Sequence, residues 1–288
     1  MKFSSKVEKC GQSPMRKFHP YAVAAKARGI KVYHLNIGQP DVQTPPAFFE
    51  AIRKFEQPVL EYAPSPGIPE LIDAIKGYYD KLDMHFDKSE IYITTGGSEA
   101  LAITLQCILD DGDEILIPEP FYPNYNTMVR TCGARIGCLI TKNKELLGHA
   151  LKYCQSRLSV ATLDQVASAH LYTVGPEYFA AVRDEYKKRR DTLVRKLREI
   201  PGVIFDCPKG AFYLMAALPV DNADTFQRWL LEEFNDNGET VMFAPGAPMY
   251  ATPGKGLNEV RMAYVLEAEK IERAMDILKK AIEVYNAK

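Results

Sequence analysis

IYITTGGSEALAITLQCIL, residues 91–109, is the stretch on which the fold turns. Ile91 to Thr95 is rich in β-branched and aromatic residues, as a buried strand is. Gly96-Gly97 then makes a tight turn, and Ser98 to Leu109 reads as a helix. A strand that enters a helix through two glycines leaves backbone N–H groups free at a positively polarised helix end, and the Ser98 hydroxyl adds a donor. Those are the parts of a phosphate cup. The same glycines also suit a purely steric turn, and the stretch alone leaves both readings open.

Outward from this turn, Glu114-Ile115-Leu116-Ile117-Pro118 reads as the next strand, which makes a β-α-β unit. Upstream, Pro69 to Leu82 and Pro46 to Phe55 carry helical spacing. Val32 to Ile37 alternates like a strand and ends in the turn Gly38-Gln39-Pro40-Asp41, and Pro20 to Gly29 is an Ala-rich helix closed by glycine. Downstream, Arg135 to Thr141 and Gly210 to Met215 read as strands. A long helix from Pro176 to Ile200 aligns Phe179, Val182, Tyr186, Leu193 and Leu197, and the last helix puts Ile271, Met275, Leu278 and Ile282 on one face. The pattern predicts an α/β protein: a β-α-β domain over residues 41–174, then an α+β domain made of residues 1–40 and 175–288.

Charge and composition exclude several classes. Lys+Arg is 36 against 37 Asp+Glu, so there is no basic field for nucleic acid. An apolar share of 47% with 16 Tyr and 13 Phe excludes a disordered chain. The first segment lacks the apolar core of a signal peptide, and no run is long enough to span a membrane; the expectation is a soluble, cytoplasmic protein. Six cysteines without a C-x-x-C pair and five histidines without ligand spacing predict neither a disulfide framework nor a metal site.

Two further stretches carry chemistry. Pro118-Glu119-Pro120-Phe121-Tyr122-Pro123-Asn124-Tyr125 sets aromatics between prolines beyond a strand's C-terminal end, where α/β folds place ligands. Its rings either stack on a planar ligand or pack as a rigid core loop. In Asn258-Glu259-Val260-Arg261-Met262-Ala263-Tyr264, Arg261 interrupts an apolar strand and is expected to be half-buried. Such a guanidinium wants a carboxylate, supplied by the protein as an internal salt bridge or by a ligand.

In order along the chain, these stretches resemble the class I/II aminotransferases of the fold-type-I pyridoxal-phosphate family, nearest in appearance to the aspartate aminotransferase subgroup. The resemblance rests on His34 to Asp41, Tyr62 with Gly67, Thr95 to Leu101, Pro120 to Tyr125, Gly133-Ala134-Arg135-Ile136-Gly137, Pro208 to Phe212, and Glu259-Val260-Arg261. It implies the PLP-transferase fold, with a truncated large-domain sheet and an α+β small domain. It also implies amino-group transfer between an amino acid and a 2-oxo acid with pyridoxal 5'-phosphate as cofactor. By the same resemblance the Gly38 backbone and Arg261 hold the substrate carboxylate. Gly96, Gly97 and Ser98 cradle the cofactor phosphate with Arg135 as counter-charge, and Tyr122 stacks on the ring. Tyr62 reaches the phosphate of a neighbouring subunit, which implies a homodimer. Arg157 is placed either near the side-chain pocket or on a solvent-facing helix.

One segment departs from the pattern. Family members set a long stretch between the stacking aromatic and the phosphate arginine, whereas Tyr122 and Arg135 are 13 residues apart. With that stretch go the asparagine of N-P-x-x-P-T-G, the aspartate that protonates the pyridine nitrogen, and the lysine that attaches the cofactor. The family's lysine lies eight residues before the phosphate arginine, where this chain has Thr127. Neither Ser5-Lys6 in the polar N-terminal arm nor Asp184-Glu185-Tyr186 on the long helix replaces them. The expectation is a deletion joining Thr131-Cys132 to a distant G-x-R-x-G, and impaired catalysis.

Overall fold

The structure is a computed structural model that describes residues 8, 13, 16–110, 113–125 and 137–288. In chain order its elements are α1 (His19–Ala27), β1 (Lys31–His34), α2 (Pro46–Arg53), α3 (Pro69–Asp80), β2 (Ile91–Thr94) and α4 (Gly97–Ile108). There follow β3 (Gly137–Ile140), α5 (Lys144–Ser156), α6 (Thr162–Leu171), α7 (Pro176–Arg198), β4 (Ile204–Phe205) and β5 (Tyr213–Ala217). The last are α8 (Ala223–Glu232), β6 (Glu239–Met242), β7 (Ala244–Pro245), β8 (Glu259–Ala263) and α9 (Ala268–Asn286). They fall into two compact units. The described residues of the first come mainly from Gln43–Leu116 and Tyr125–Pro176; those of the second come from Gly11–Val42, Ile117–Asn124 and Glu177–Lys288.

The first unit is built around β2, whose four residues are all buried. Ile91 and Ile93 pack with Ile68, Leu71, Ile72 and Ile75 on one side, while Tyr92 packs with Ile103, Leu147, Ala150 and Cys154 on the other. That is the alternation a strand covered on both faces must have. Buried Gln165 stitches this core: its Oε1 accepts from Ile68 N at 2.9 Å and its Nε2 donates to Val160 O at 2.8 Å. Gly67 holds φ at +130°, and a Cβ there would lie 2.2 Å from Ile93 Cγ1, so both the backbone and the packing require glycine.

Two expectations are corrected here. The stretch 114–118 forms no strand, and β2 pairs antiparallel with β3, Ile91 opposite Ile140 and Thr94 opposite Gly137, in place of a parallel β-α-β partner. An apolar run becomes a strand only where another strand receives its N–H and C=O groups. Without one, Leu116 is left 93% exposed.

In the second unit, β4-β5-β8-β7 form an antiparallel sheet, and β1 runs parallel to β6. Leu35 continues β1 and links the two sheets, donating to Met242 O at 2.7 Å and accepting from Ala263 N at 2.8 Å. Leu193 and Leu197 of α7, Phe226 and Leu230 of α8, and Ile271, Met275, Leu278 and Ile282 of α9 fill the core. The α9 stripe is thus the one its spacing predicts. Glu239 and Asp236 gather Lys31, Arg273 and Lys280 in a salt-bridge network that ties β1, β6 and α9 together.

Candidate functional site

In the first unit, Gly96 precedes α4 with φ +99° and ψ 162°. The turn is held from within: Thr94 Oγ1 donates to Gly96 O at 3.0 Å, and the Glu99 carboxylate accepts from Thr95 N at 2.5 Å. Glu99 N and Ala100 N close back on Gly96 O, which leaves Gly97 N and Ser98 N as first-turn donors without an intrahelical acceptor. Apart from its chain neighbours and its own helix backbone, no described atom lies within 4 Å of a Cβ built on Gly97, so space stands open beside it. The arrangement suits an anion: two first-turn donors, a hydroxyl and a helix dipole.

Arg157 does not face solvent: its side chain is 17% exposed. It caps α5 and folds inward, donating from Nη2 to Ile93 O at 2.6 Å with Nε 3.2 Å from Glu99 Oε1. It thus sits behind the glycine turn. Tyr62, in the same unit, is 80% exposed.

In the second unit, β8 carries Arg261 opposite Met215 of β5 and Ala244 of β7. The guanidinium is half-buried, lies 5.1 Å from the Tyr213 ring and donates to Asn36 O at 3.3 Å. Its Nε is buried without a partner, and among the described residues no carboxylate pairs with it. The internal salt bridge is therefore not what occupies it. Burial pushes its pKa down, and only the phenols of Tyr213 and Tyr122 pull the other way. A buried cation short of an anion is costly to the protein unless a ligand completes it.

Gly38 follows Asn36 closely in sequence, and Phe212 covers it: a Cβ on Gly38 would lie 2.3 Å from Phe212 Cε2. Glycine lets that backbone run under the ring. The aromatic loop packs one ring as its sequence allows and leaves the next exposed. Phe121 is buried and donates from its N to Met249 O at 2.8 Å, while Tyr122 is 40% exposed and accepts from Asn124 Nδ2 at 2.7 Å. Glu119 anchors the loop, accepting from Thr252 N and Thr252 Oγ1, both at 2.8 Å, and these bonds hold its carboxyl below the usual range.

The sequence did not single out Arg189. It is 4% exposed, and its Nη1 donates to Asp41 at 2.6 Å and to Val265 O at 2.5 Å while Nε meets Glu185 at 2.7 Å. One side chain thus ties the Gly38–Asp41 turn to the end of the strand bearing Arg261. Its signal was present: Arg189 falls on the Tyr186–Leu193 stripe, where a cation needs a buried partner. Asp184 faces solvent as expected, whereas Tyr186 turns inward to Tyr264, with ring centroids 6.5 Å apart. Arg135, Thr127 and Ser5-Lys6 lie outside the described residues.

Comparison with known proteins gives these features a family. The model of aminotransferase class I and II matches residues 30–136 and 132–278. The chain belongs to that family, whose members depend on pyridoxal phosphate. The two matches meet at 132–136, where the sequence sets its deletion junction. A probable N-acetyl-LL-diaminopimelate aminotransferase of Bacillus subtilis is 41% identical over 107 residues, 36% of this chain and 27% of that protein. The chain thus spans about a third or less of the first curated relatives it matches. Aspartate aminotransferase of Pyrococcus horikoshii aligns more widely, at 22% identity over 363 positions, 88% of this chain and 91% of the relative. Roughly a hundred of those positions receive no residue from this chain. Among solved structures, alanine aminotransferase from Pyrococcus furiosus superposes with a TM-score of 0.86 at 21% identity, covering 98% of this chain and 100% of the other. Thermus thermophilus aspartate aminotransferase with maleate gives 0.85 at 20%, with the same coverage. The fold is accordingly a truncated fold-type-I aminotransferase.

Proposed function

We propose that this chain is an aminotransferase scaffold that binds an amino acid or 2-oxo acid and the phosphate of pyridoxal 5'-phosphate, with its amino-group transfer impaired. One observation carries the reading: the residues that the resemblance assigns to both anion-binding sets are present, while the 12 residues between Tyr122 and Arg135, Pro123 to Ala134, contain no lysine. When bound, the cofactor supplies an electron sink for chemistry at the amino acid's α-carbon.

The residues present fit its phosphate. Gly97 N, Ser98 N and the Ser98 hydroxyl would hold it at the start of α4, with Arg135 as the counter-charge that the family pattern implies. Tyr122 would lie against the ring. Arg261 and the Gly38 backbone would take the substrate carboxylate, completing a guanidinium that has no carboxylate partner among the described residues. Exposed Tyr62 would serve a neighbouring subunit in a cytoplasmic homodimer. The residues do not fit covalent attachment. Thr127, at the position the pattern gives the lysine, has a hydroxyl that neither accepts a proton at neutral pH nor replaces an anchoring amine. Complete loss of catalysis, leaving a binder of cofactor and amino acid, is the second reading, favoured by the same 12 residues.

Equilibrium dialysis of the full chain against pyridoxal phosphate, then borohydride reduction, peptide mapping and a transamination assay, tests the proposal. Saturable binding displaced by inorganic phosphate is expected, without a specifically modified lysine. Residual turnover would select the impaired enzyme, and none would select the binder. Stoichiometric modification of a single lysine with brisk transamination would refute both.

A further inference from the structure

The first turn of α4 contains a contradiction. Its free N–H groups favour an anion, yet Glu99, at the third position of the helix, already places a carboxylate there. Glu99 is largely buried, its side chain 16% exposed, and Oε2 is committed to Thr95 N at 2.5 Å. A fixed negative charge so close to a phosphate group repels it, and partial burial keeps water from screening that repulsion. Glu99 cannot simply be dispensed with, because it holds the backbone just ahead of positive-φ Gly96.

Arg157 resolves the conflict. Its side chain is 17% exposed, with Nε 3.2 Å from Glu99 Oε1. Nη2 is fixed by Ile93 O at 2.6 Å and lies 3.5 Å from Cys154 Sγ. Nε and Nη1 are buried and form no hydrogen bond among the described residues, so the link to Glu99 is an ion pair. The guanidinium thus does two things. It satisfies the carbonyl of Ile93 on the β2 edge away from β3, and it cancels the Glu99 charge behind the glycine turn.

We propose that Arg157 is a positioning residue of the phosphate-binding turn: by neutralising Glu99 it lets a carboxylate brace Thr95 and Gly96 while the same helix end still accepts a phosphate. The inference rests on the reading of Gly96–Ser98 as a phosphate cradle and adds the residue that makes that cradle electrostatically competent. Arg157 touches no ligand in this scheme and acts through Glu99.

The test is a charge cycle on the full chain, with pyridoxal phosphate and phosphate-free pyridoxal as probes in equilibrium dialysis. Arg157→Met is expected to weaken pyridoxal phosphate binding tenfold or more while pyridoxal binding stays the same. Glu99→Gln keeps an acceptor for Thr95 N and is expected to bind as well as the parent or better. The double variant, with both charges gone, is expected to recover most of the affinity that Arg157→Met loses. A role confined to capping the β2 edge predicts no recovery, because the Ile93 carbonyl stays unsatisfied in the double variant; that result would overturn the proposal. So would unchanged phosphate discrimination in Arg157→Met. If that variant does not fold, Arg157→Lys, which keeps the charge, and Arg157→Gln, which keeps a donor without it, decide the matter: equal phosphate affinity in the two would sink the idea. Failure of the parent chain to prefer pyridoxal phosphate over pyridoxal would overturn the cradle itself and this inference with it, an outcome distinct from the others.

Discussion

A half-buried arginine normally announces its partner, and Arg261 does not. Its Nε has none among the described residues, its one described hydrogen bond is a 3.3 Å contact to Asn36 O, and burial disfavours its charge. Removing an unpaired buried charge should therefore cost the fold little. Arg261→Met is expected to melt within a few degrees of the parent or above it, by calorimetry of both proteins. Its affinity for 2-oxoglutarate is expected to fall roughly a hundredfold, as loss of a bidentate charge-assisted pair implies. A variant that unfolds, or one that still binds the acid, would make Arg261 a structural residue. The sequence made Arg261 conspicuous because a cation inside an apolar strand stands out. It left open whether protein or ligand supplies the anion, since that depends on chain segments far away. Arg157 was harder to read: at the end of an amphipathic helix a solvated arginine and one folded inward look alike, and only the packing of α5 beside β2 separates them.

At the level of elements, the helices were largely legible and one strand was not. A helix closes its own hydrogen bonds, so spacing and flanking residues nearly suffice; α3, α4, α7 and α9 lie where their periodicity predicts. A strand needs a neighbour, and 114–118 lacks one. What holds β2 in place is instead a glycine whose role comes from packing. Gly67→Ala would put a methyl 2.2 Å from Ile93 Cγ1 and 2.9 Å from Ile93 Cβ, at a φ of +130° that alanine resists. The expected cost is about 3 kcal/mol, from overpacking and backbone strain together. Urea denaturation followed by circular dichroism measures it, and a cost near zero would mean that α3 and β2 slide apart freely. Elements of the second unit answer to acid. Salt bridges and a Tyr33 hydrogen bond hold the Glu239 carboxyl at about 2 against its ordinary 4.5. Because the folded value is the lower one, that stabilisation is complete above about pH 4.5 and is lost as pH falls toward 2. Glu239→Gln is expected to lower stability by about 2 kcal/mol at neutral pH and to flatten the acid side of the stability curve. An unchanged slope between pH 4.5 and pH 2 would show that other carboxylates govern acid unfolding.

For the whole molecule, the missing segment falls unequally on the two units. The second keeps a four-stranded sheet, a parallel pair and a large aliphatic and aromatic core. Among its described residues the first keeps two strands, with the β2 edge away from β3 covered at Ile93 by Pro66 O and Arg157. Two strands are marginal alone, and here the helices around β2 supply most of the burial. Apolar residues in the first unit meanwhile stay exposed, among them Val59 at 61%, Leu60 at 60% and Leu116 at 93%. Stability should then divide by unit, because opening free energy follows local burial. Hydrogen exchange read by mass spectrometry is expected to show Ile91–Thr94 exchanging at least tenfold faster than Tyr213–Ala217 and Glu259–Ala263. A fluorescent apolar dye should bind before the second unit melts, since exposed patches of this kind favour association. Uniform protection across β2, β5 and β8 would mean that the shortened sheet opens only with global unfolding. The deletion would then have spared the stability of the first unit, and the glycine turn at the end of β2 would be as rigid as the strand that carries Arg261.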